Sequence, residues 1–214
     1  MRPALSNYYA YKLTRDYGFA PNPFFNYCTL ACCKPRIRIR ASVSDWIIGT
    51  GSVENDSLYN IIYVMKITEK LTFEEYWNDS RFKCKRPVLN GSLKQIHGDN
   101  IYNNQNGSWF QMNSHHSLRG GKLNQENLKK DLSGLYVLIS NHFTYFGNRK
   151  VKVPEKYKSI CPRRNKDRDY RNLKSDPLAI EFVDKLIFKY GLGIYGDPID
   201  WEEYKQLNLF NYYI

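Results

Sequence analysis

Alternating apolar and polar residues predict several short strands in this chain. Residues 6–13 alternate, and residues 58–67 are rich in Ile, Tyr and Val, a composition that suits a pleated, half-buried surface. Residues 46–48 and the apolar run 135–140 also predict strands. We expect the segments 46–48, 58–67 and 135–140 to share one sheet, which residues 143–147 and 150–153 continue.

The segment between residues 27 and 41 has two parts with different patterns. Residues 27–33 predict a short helix that ends before Pro35, because the proline ring excludes a continued helix. Residues 36–41 have a period of two, with isoleucines on one face and arginines on the other, and predict a strand.

Helical patterns follow the strands and close the chain. Residues 68–77 predict a turn into a helix. Residues 176–190 predict the clearest helix, since Pro177 fits a first turn, apolar residues recur every fourth position and Gly191 ends it. Residues 155–175, dominated by Lys, Arg and Asp, predict an exposed, mobile insertion.

These elements together predict an α+β fold. We expect a small, partly open mixed β-barrel with flanking helices and a helical C-terminal appendage. The predicted domain comprises residues 1–154, and residues 155–214 form a basic insertion, a helix and a tail packed on it.

Composition predicts a class of binding partner and a cellular compartment. Lys and Arg number 32 against 21 Asp and Glu, and the resulting net charge of +11 favours a polyanionic partner. No apolar run approaches the roughly 18–20 residues that span a bilayer, so no membrane is expected. Five cysteines, two of them adjacent, make a poor disulfide framework and predict reduced thiols in a cytoplasm.

Several unusual segments carry a family resemblance. They are YKLTRDYGFAPNPFFNYCTLACCKPRIR, SDWIIGTGS, KITEKLTFEEYW, RFKCKRP, GDNIY and SWFQMNSHHS. In this order they resemble the nucleotide modification associated domain family, second type, over most of residues 8–147. The resemblance implies an association with DNA base modification and with bacterial and phage defence, and it specifies no reaction.

A second resemblance concerns the fold alone. The order of an Asp-Trp strand at residues 45–46, a polar loop, a long strand and an aromatic-rich helix is similar to PUA-like barrels of the EVE, YTH and ASCH type. Several such barrels accept a modified base in an aromatic pocket. The resemblance implies a comparable pocket here and names no ligand.

Candidate base-binding residues lie where a fold does not require their polarity. Trp109 offers a stacking surface and Gln111, two residues on, an amide that can read a base edge. The turn at residues 50–52 offers hydroxyls and backbone N–H groups to a phosphate or base edge, or is simply a glycine-permitted bulge. The full base-binding set is Trp46, Thr50, Ser52, Trp109, Gln111, Ser114 and His142.

Histidines and cysteines are the candidates for catalysis. His115 or His116 could transfer protons near neutral pH, and Cys28 or Cys32 could act as a nucleophile if cations stabilise the thiolate. The cysteines could equally be buried packing residues. The spacing lacks the paired Cys-x2-Cys knuckles of zinc sites, and adjacent histidines in a strand face opposite ways, so we predict no metal and no cofactor.

Basic residues complete the predicted surface. We expect phosphate contacts from Arg36, Arg38, Arg40, Lys83, Lys85 and Arg86. Two functions follow. The favoured one is a module that binds nucleic acid, DNA more than RNA, or a nucleotide, through a modified base. The alternative is a small enzyme that makes or processes a modified nucleotide with His or Cys. An interaction subunit of a modification complex is a third possibility.

Overall fold

The computed structural model describes residues 6–163, 167 and 170–204 of the chain. The strands are β1 Tyr8–Lys12, β2 Cys28–Leu30, β3 Trp46–Thr50, β4 Asn60–Lys66, β5 Glu69–Thr72, β6 Tyr102–Gln105, β7 Ser108–Gln111, β8 Tyr136–Ser140, β9 His142–Tyr145, β10 Val151–Lys152, β11 Arg171–Lys174 and β12 Gly193–Ile194. The α-helices are α1 Pro35–Arg40, α2 Phe73–Asn78, α3 Leu93–Ile96, α4 Gln125–Leu132 and α5 Pro177–Tyr190. The fold is therefore of the predicted α+β class.

The chain divides into two compact units, and the first unit holds the large sheet. It is built from the described residues of segments 1–17, 47–64 and 143–214. Its strands run in the order β11-β1-β3-β4-β9-β12, with β10 added to β4. The sheet is mixed, because β1 pairs with β11 antiparallel and β9 pairs with β12 parallel. Within the described residues it is open rather than a closed barrel, so the barrel expectation is not confirmed. The domain boundary at residue 154 stays a prediction.

The core of the first unit confirms the predicted C-terminal helix. Asp176 caps α5 by accepting a hydrogen bond from the Leu178 backbone, and Pro177 occupies the first turn. The buried face of α5 carries Ala179, Phe182, Val183 and Leu186. The neighbouring segment is not the exposed insertion that its charge predicts: Tyr157 and Ile160 are buried, and β11 pairs with β1. Tyr157 and Ile160 anchor the segment, while its charged residues Glu155, Lys156 and Arg163 are exposed.

The second unit, residues 18–46 and 65–142, holds two further sheets. β2, β8 and β5 form an antiparallel sheet, and β6 and β7 form a hairpin. The prediction that 135–140 shares a sheet with 46–48 and 58–67 is therefore wrong. The predicted helix at 27–33 is wrong too, because Cys28–Leu30 pairs with β8 and is fully buried.

The basic segment 36–41 is a helix rather than the predicted strand. Pro35 stands at the first helical position, and its fixed φ suits that place. The two-residue alternation breaks down in the packing, since Ile37 and Arg38 are both buried and Ile39 is exposed. Arg38 is fully buried because its guanidinium donates to three backbone carbonyls, those of Cys33, Asp131 and Tyr136.

Two more helices position residues of the second unit. The predicted helix after residue 68 is α2, which a capping box between Thr72 and Glu75 begins. α4 was not predicted. Asn124 caps it by accepting from the backbones of Glu126 and Asn127, and its buried face presents Leu128 and Asp131.

No helix among the described residues combines the length and the apolar character that crossing a bilayer requires. The longest, α5, has 14 residues.

The burial of Arg38 makes a testable prediction about stability. Arg38→Met keeps most of the side-chain volume but leaves three buried carbonyls without a donor, each worth about 1–3 kcal/mol. We expect the free energy of unfolding, measured in urea, to fall by at least about 3 kcal/mol. Arg36→Met, an exposed position of the same helix, is the control and should change it by about 0.5 kcal/mol or less. Equal losses for both variants would contradict the buried role of Arg38.

Candidate active site

Cys33 lies on a sharp turn between β2 and α1. Cys33 and Lys34 both adopt left-handed backbone conformations, with φ of 60° and 40°. Such a conformation costs a residue other than glycine about 1–2 kcal/mol. A reactive side chain held on a strained strand-to-helix turn projects away from both elements, which is the geometry of nucleophile elbows. The Cys33 side chain is half-buried and therefore accessible at this turn.

Two buried charged residues hold the Cys33 backbone in place. The Cys33 N–H donates to Asp131 Oδ1 at 2.7 Å, and the Cys33 carbonyl accepts from Arg38 Nε at 2.8 Å. Arg38 Nη2 also donates to the Asp131 carbonyl at 2.5 Å, which ties α1 to α4. A Cβ at position 134 would overlap the Arg38 guanidinium, so Gly134 makes room for it. These bonds offset the strain of the turn.

His116 links the Cys33 thiol to the same carboxylate. Its Nε2 lies 3.6 Å from Cys33 Sγ, and its Nδ1 lies 2.6 Å from Asp131 Oδ2. The Tyr102 hydroxyl donates to Asp131 Oδ2 at 2.7 Å. Cys33, His116 and Asp131 thus form a continuous thiol–imidazole–carboxylate chain, the arrangement in which a base activates a nucleophile and a third group orients the base.

The loop that carries His116 is fixed by side-chain amides. Gln111 Nε2 and Asn127 Nδ2 both donate to the His116 carbonyl, at 3.2 and 3.0 Å. The Phe19 ring lies 4.7 Å from the imidazole, centroid to centroid, and is tilted by 57° to it. The His116 side chain remains 13% exposed.

The protonation states follow from this geometry. Burial alone would lower the pKa of His116, but the hydrogen bonds and charges of Asp131 and Cys33 outweigh it and raise that pKa to about 9. Burial would raise the pKa of Asp131, and the bonds from His116, Tyr102 and the Cys33 backbone lower it instead. At neutral pH His116 is therefore an imidazolium that donates Nδ1–H to a carboxylate and Nε2–H to the sulfur.

Cys32 lies beside this chain in a different state. It is fully buried, and burial together with the charges of Asp131 and Asp99 raises the pKa of its thiol well above its usual range. A neutral, inaccessible thiol cannot serve as the nucleophile. Cys28 is also inaccessible, because it is fully buried on β2. Both sequence-based thiol candidates, Cys28 and Cys32, are therefore out of reach of a substrate in this structure, and Cys33 is the accessible thiol of this segment.

One group of possible metal ligands overlaps the site. Cys32, His116 and Asp131 each offer a ligand atom, and these atoms lie within 4.8 Å of one another. The two oxygens of Asp131 accept three hydrogen bonds from protein groups, and burial raises the pKa of the Cys32 thiol well above its usual range.

A second buried polar cluster lies at β2, the strand that precedes the Cys33 turn. Asp99 accepts from the Thr29 and Tyr76 hydroxyls at 2.5 and 2.8 Å, and its backbone carbonyl accepts from Cys32 Sγ. Burial raises the pKa of Asp99 and lowers that of Lys85, whose ammonium donates to Asn22 and to a backbone carbonyl. The cluster fixes β2, and with it the start of the Cys33 turn.

Trp109 and Gln111, the proposed base-reading pair, differ in burial. Trp109 is partly exposed on β7, with its ring edge-on to Phe73 at 6.3 Å. Gln111 is buried, and its amide is occupied: Oε1 accepts from the Asn124 backbone, and Nε2 donates within the site. Gln111 therefore positions His116 and α4 and does not read a base edge.

The other base-binding candidates are also engaged within their own units. Thr50 is buried and donates to the Tyr11 carbonyl, and Ser52 is buried and bonds to Asn55. Trp46 is buried, and its ring lies edge-on to His142. Burial and the charge of Lys66 lower the pKa of His142. Ser114 accepts from the His116 backbone and belongs to the loop of the candidate site. His115 is exposed beside His116.

The predicted phosphate contacts separate into exposed and buried residues. Arg36, Arg40 and Lys83 are exposed. Arg38 and Lys85 are fully buried and donate to protein carbonyls, so a phosphate cannot reach them. Arg86 stacks on Trp77 at 3.8 Å and donates to its carbonyl. Arg38 and Lys85 therefore do not belong to the predicted phosphate-binding surface, because they donate hydrogen bonds to backbone carbonyls.

Sequence reasoning missed three residues of the site, namely Cys33, Asp131 and Tyr102. Asp131 lies on α4, and its signal was the Asn124 cap followed by Leu128 one turn later. Tyr102 lies on β6 and carries no local signal, because its role depends on meeting Asp131 across the fold.

The raised pKa of His116 predicts a specific pH dependence of stability. A group whose folded pKa is about 9, against 6.5 unfolded, contributes stability that is full below pH 6.5 and lost as the pH rises through 9. We expect the difference in unfolding free energy between wild type and His116→Gln to shrink over that range. The control His142→Gln has the opposite sign, since the folded pKa of His142 is lowered and its effect lies on the acid side. A His116→Gln difference that is constant from pH 6.5 to 9.5 would contradict the ion pair.

Comparison with known proteins places the chain in a family. No curated protein and no solved structure matches it significantly. The sequence profile of the family described as Nucleotide modification associated domain 2 matches residues 5–205. The match includes the second unit with its Cys33–His116–Asp131 chain and continues past residue 155, where the sequence showed no recognisable motif. The chain belongs to the nucleotide modification associated domain 2 family.

Proposed function

We propose that this protein is a thiol-dependent enzyme of a nucleotide-modification system. Cys33 is the nucleophile, His116 transfers protons, and Asp131 orients and stabilises the imidazolium. The observation that carries the proposal is the Cys33–His116–Asp131 chain, with contacts of 3.6 and 2.6 Å. The family supports the connection to nucleotide modification. The alternative from the sequence, an enzyme that uses His or Cys, therefore takes precedence over a module that only binds.

The first half of the proposed reaction forms a thioester. The Cys33 thiolate attacks an acyl or amide carbon of the substrate and forms a C–S bond. His116 donates its Nε2 proton to the leaving group as the bond between carbon and that group breaks. The imidazole is then neutral, and Asp131 keeps its Nδ1–H oriented.

The second half regenerates the site. The neutral Nε2 accepts a proton from the acceptor, which is water or a nucleotide amine or hydroxyl, as the acceptor attacks the thioester carbon. The C–S bond breaks, the thiolate leaves and the imidazolium is restored. No oxidant or reductant is consumed, and the net reaction is acyl transfer or hydrolysis on a nucleotide.

Charge balance supports the reactive ion pair. Arg38 and the His116 imidazolium carry positive charge, and the Asp131 carboxylate carries negative charge. Arg38 is buried and lies within electrostatic reach of both Cys33 and Asp131. A thiolate at Cys33 is the proposed fourth charge of this set, which it makes neutral in a partly buried site where an uncompensated charge is costly.

Recognition of the nucleotide belongs to the same proposal. Trp109 keeps part of its ring exposed in the unit that holds Cys33, and it remains the proposed stacking residue. The proposed partner is nucleic acid, preferably DNA, or a modified nucleotide, within a base-modification or phage-defence system in the cytoplasm. Exposed Arg36, Arg40 and Lys83 are the remaining proposed phosphate contacts.

Thiol reactivity tests the proposal without a known substrate. The full chain is treated with iodoacetamide at pH 7, and the alkylation of Cys33 and Cys84 is followed by peptide mass spectrometry. Cys84 is exposed and serves as the internal control. We expect Cys33, although half-buried, to react about tenfold faster than Cys84, because the imidazolium stabilises its thiolate.

Variants and a chelator separate the possible causes. His116→Gln should slow alkylation of Cys33 about tenfold and leave Cys84 unchanged. A Cys33 rate at or below that of Cys84, or one that is insensitive to His116→Gln, would refute the nucleophile. Alkylation of Cys33 that requires prior chelation with EDTA would instead indicate a bound metal and overturn the proposed ion pair.

A further inference from the structure

The first unit contains a cleft that the Cys33 chemistry does not use. Its volume is about 420 Å³. It is lined by three aromatic rings and three cations: Phe146, Tyr190, Tyr195, Arg149, Lys150 and Lys152. None of the described residues that line it is acidic. All of them lie in the segment 143–214 of the first unit.

The aromatic side of the cleft is a packed group of rings. Phe146 is buried and forms the base of the group, stacked with Tyr195 at 5.6 Å and edge-on to Tyr190 at 5.1 Å. The Tyr195 hydroxyl donates to the Tyr190 carbonyl. Both tyrosines are half-buried, and the Lys189 ammonium lies 4.9 Å from the centroid of the Tyr190 ring. Rings held in this way are suited to stacking with a nucleobase.

Tight backbone turns hold the cations next to these rings. Gly147 has φ of 53°, and a Cβ there would overlap the Asp197 carbonyl, so only glycine fits between the two segments. Arg149 and Lys152 follow closely and are exposed. Neither of them pairs with a carboxylate among the described residues, whereas Lys150 donates to Asp56 and Ser57. Arg149 and Lys152 are the cations that can receive an anion.

We propose that this cleft binds a nucleotide unit. The base stacks on the partly exposed ring of Tyr195 or Tyr190, and the phosphate is held by Arg149 and Lys152. The volume lies within the range of about 300–1,000 Å³ that small-ligand sites occupy. Arginine and lysine beside aromatic rings are the combination with which proteins hold single-stranded nucleic acid. The proposal does not depend on the reaction at Cys33.

Binding of two probes tests the site on the full chain. A fluorescein-labelled 12-nucleotide single strand of DNA is titrated by anisotropy at 50, 100 and 200 mM salt, and free dAMP is used as a competitor. We expect Arg149→Ala/Lys152→Ala to weaken binding at least fivefold. The slope of log affinity against log salt should fall by about 1.4, since each lost phosphate contact on a single strand contributes about 0.7. Tyr190→Leu should weaken binding about 5- to 150-fold through lost stacking.

Matched controls make each outcome decisive. Lys129→Ala/Lys130→Ala removes the same charge from exposed positions of α4 in the other unit and should leave affinity and slope unchanged. Arg149→Ala/Lys152→Ala should leave the alkylation rate of Cys33 unchanged, which separates this site from the proposed chemistry. Competition by dAMP identifies a free nucleotide as ligand, and binding of the strand alone identifies a polynucleotide. Absence of binding to both probes at 50 mM salt, or equal weakening by the two double variants, would overturn the proposal.

Discussion

The clamp of Arg38 and Asp131 on the Cys33 backbone is the interaction on which the candidate site depends. Asp131 accepts from the Cys33 N–H, and Arg38 donates to the Cys33 carbonyl, so both polar groups of one strained residue are held by buried charges. Arg38 also donates to the Asp131 carbonyl and thereby joins α1 to α4. A left-handed residue other than glycine persists only where its surroundings fix it in this way. Arg38 and Asp131 therefore hold the turn and also set the charges around Cys33.

The position of Asp131 explains the charges of the site. Asp131 receives three donors at its carboxylate, and they keep it ionised although it is buried. The ionised carboxylate raises the pKa of His116, and the imidazolium in turn faces the sulfur of Cys33. Cys32, one residue earlier, is fully buried and protonated. The two adjacent thiols therefore differ in burial, since Cys32 is fully buried and Cys33 is half-buried at the turn.

Local patterns predicted the elements whose packing is local. Pro177, the four-residue spacing and Gly191 were sufficient for α5, alternation was sufficient for β1, and the content of Ile, Tyr and Val was sufficient for β4. Residues 36–40 were misread, because five alternating residues fit a strand until burial of Arg38 against distant carbonyls favours a helix. The same limit applies to the site. His116 was found by residue type, whereas Asp131 and the choice of Cys33 over Cys32 depend on contacts nearly a hundred positions apart.

The ionisation of His116 in the intact protein is the most direct test of this account. Long-range ¹H–¹⁵N spectra of the histidine ring, recorded from pH 5.5 to 10 and assigned with His116→Gln, report the protonation of each nitrogen. The account predicts that both nitrogens carry protons at pH 7.5, that the ring titrates at about 9, and that Cys33→Ser lowers this value. A ring that is neutral at pH 7.5 and titrates near 6.5 would contradict the thiolate–imidazolium pair and the proposed nucleophile.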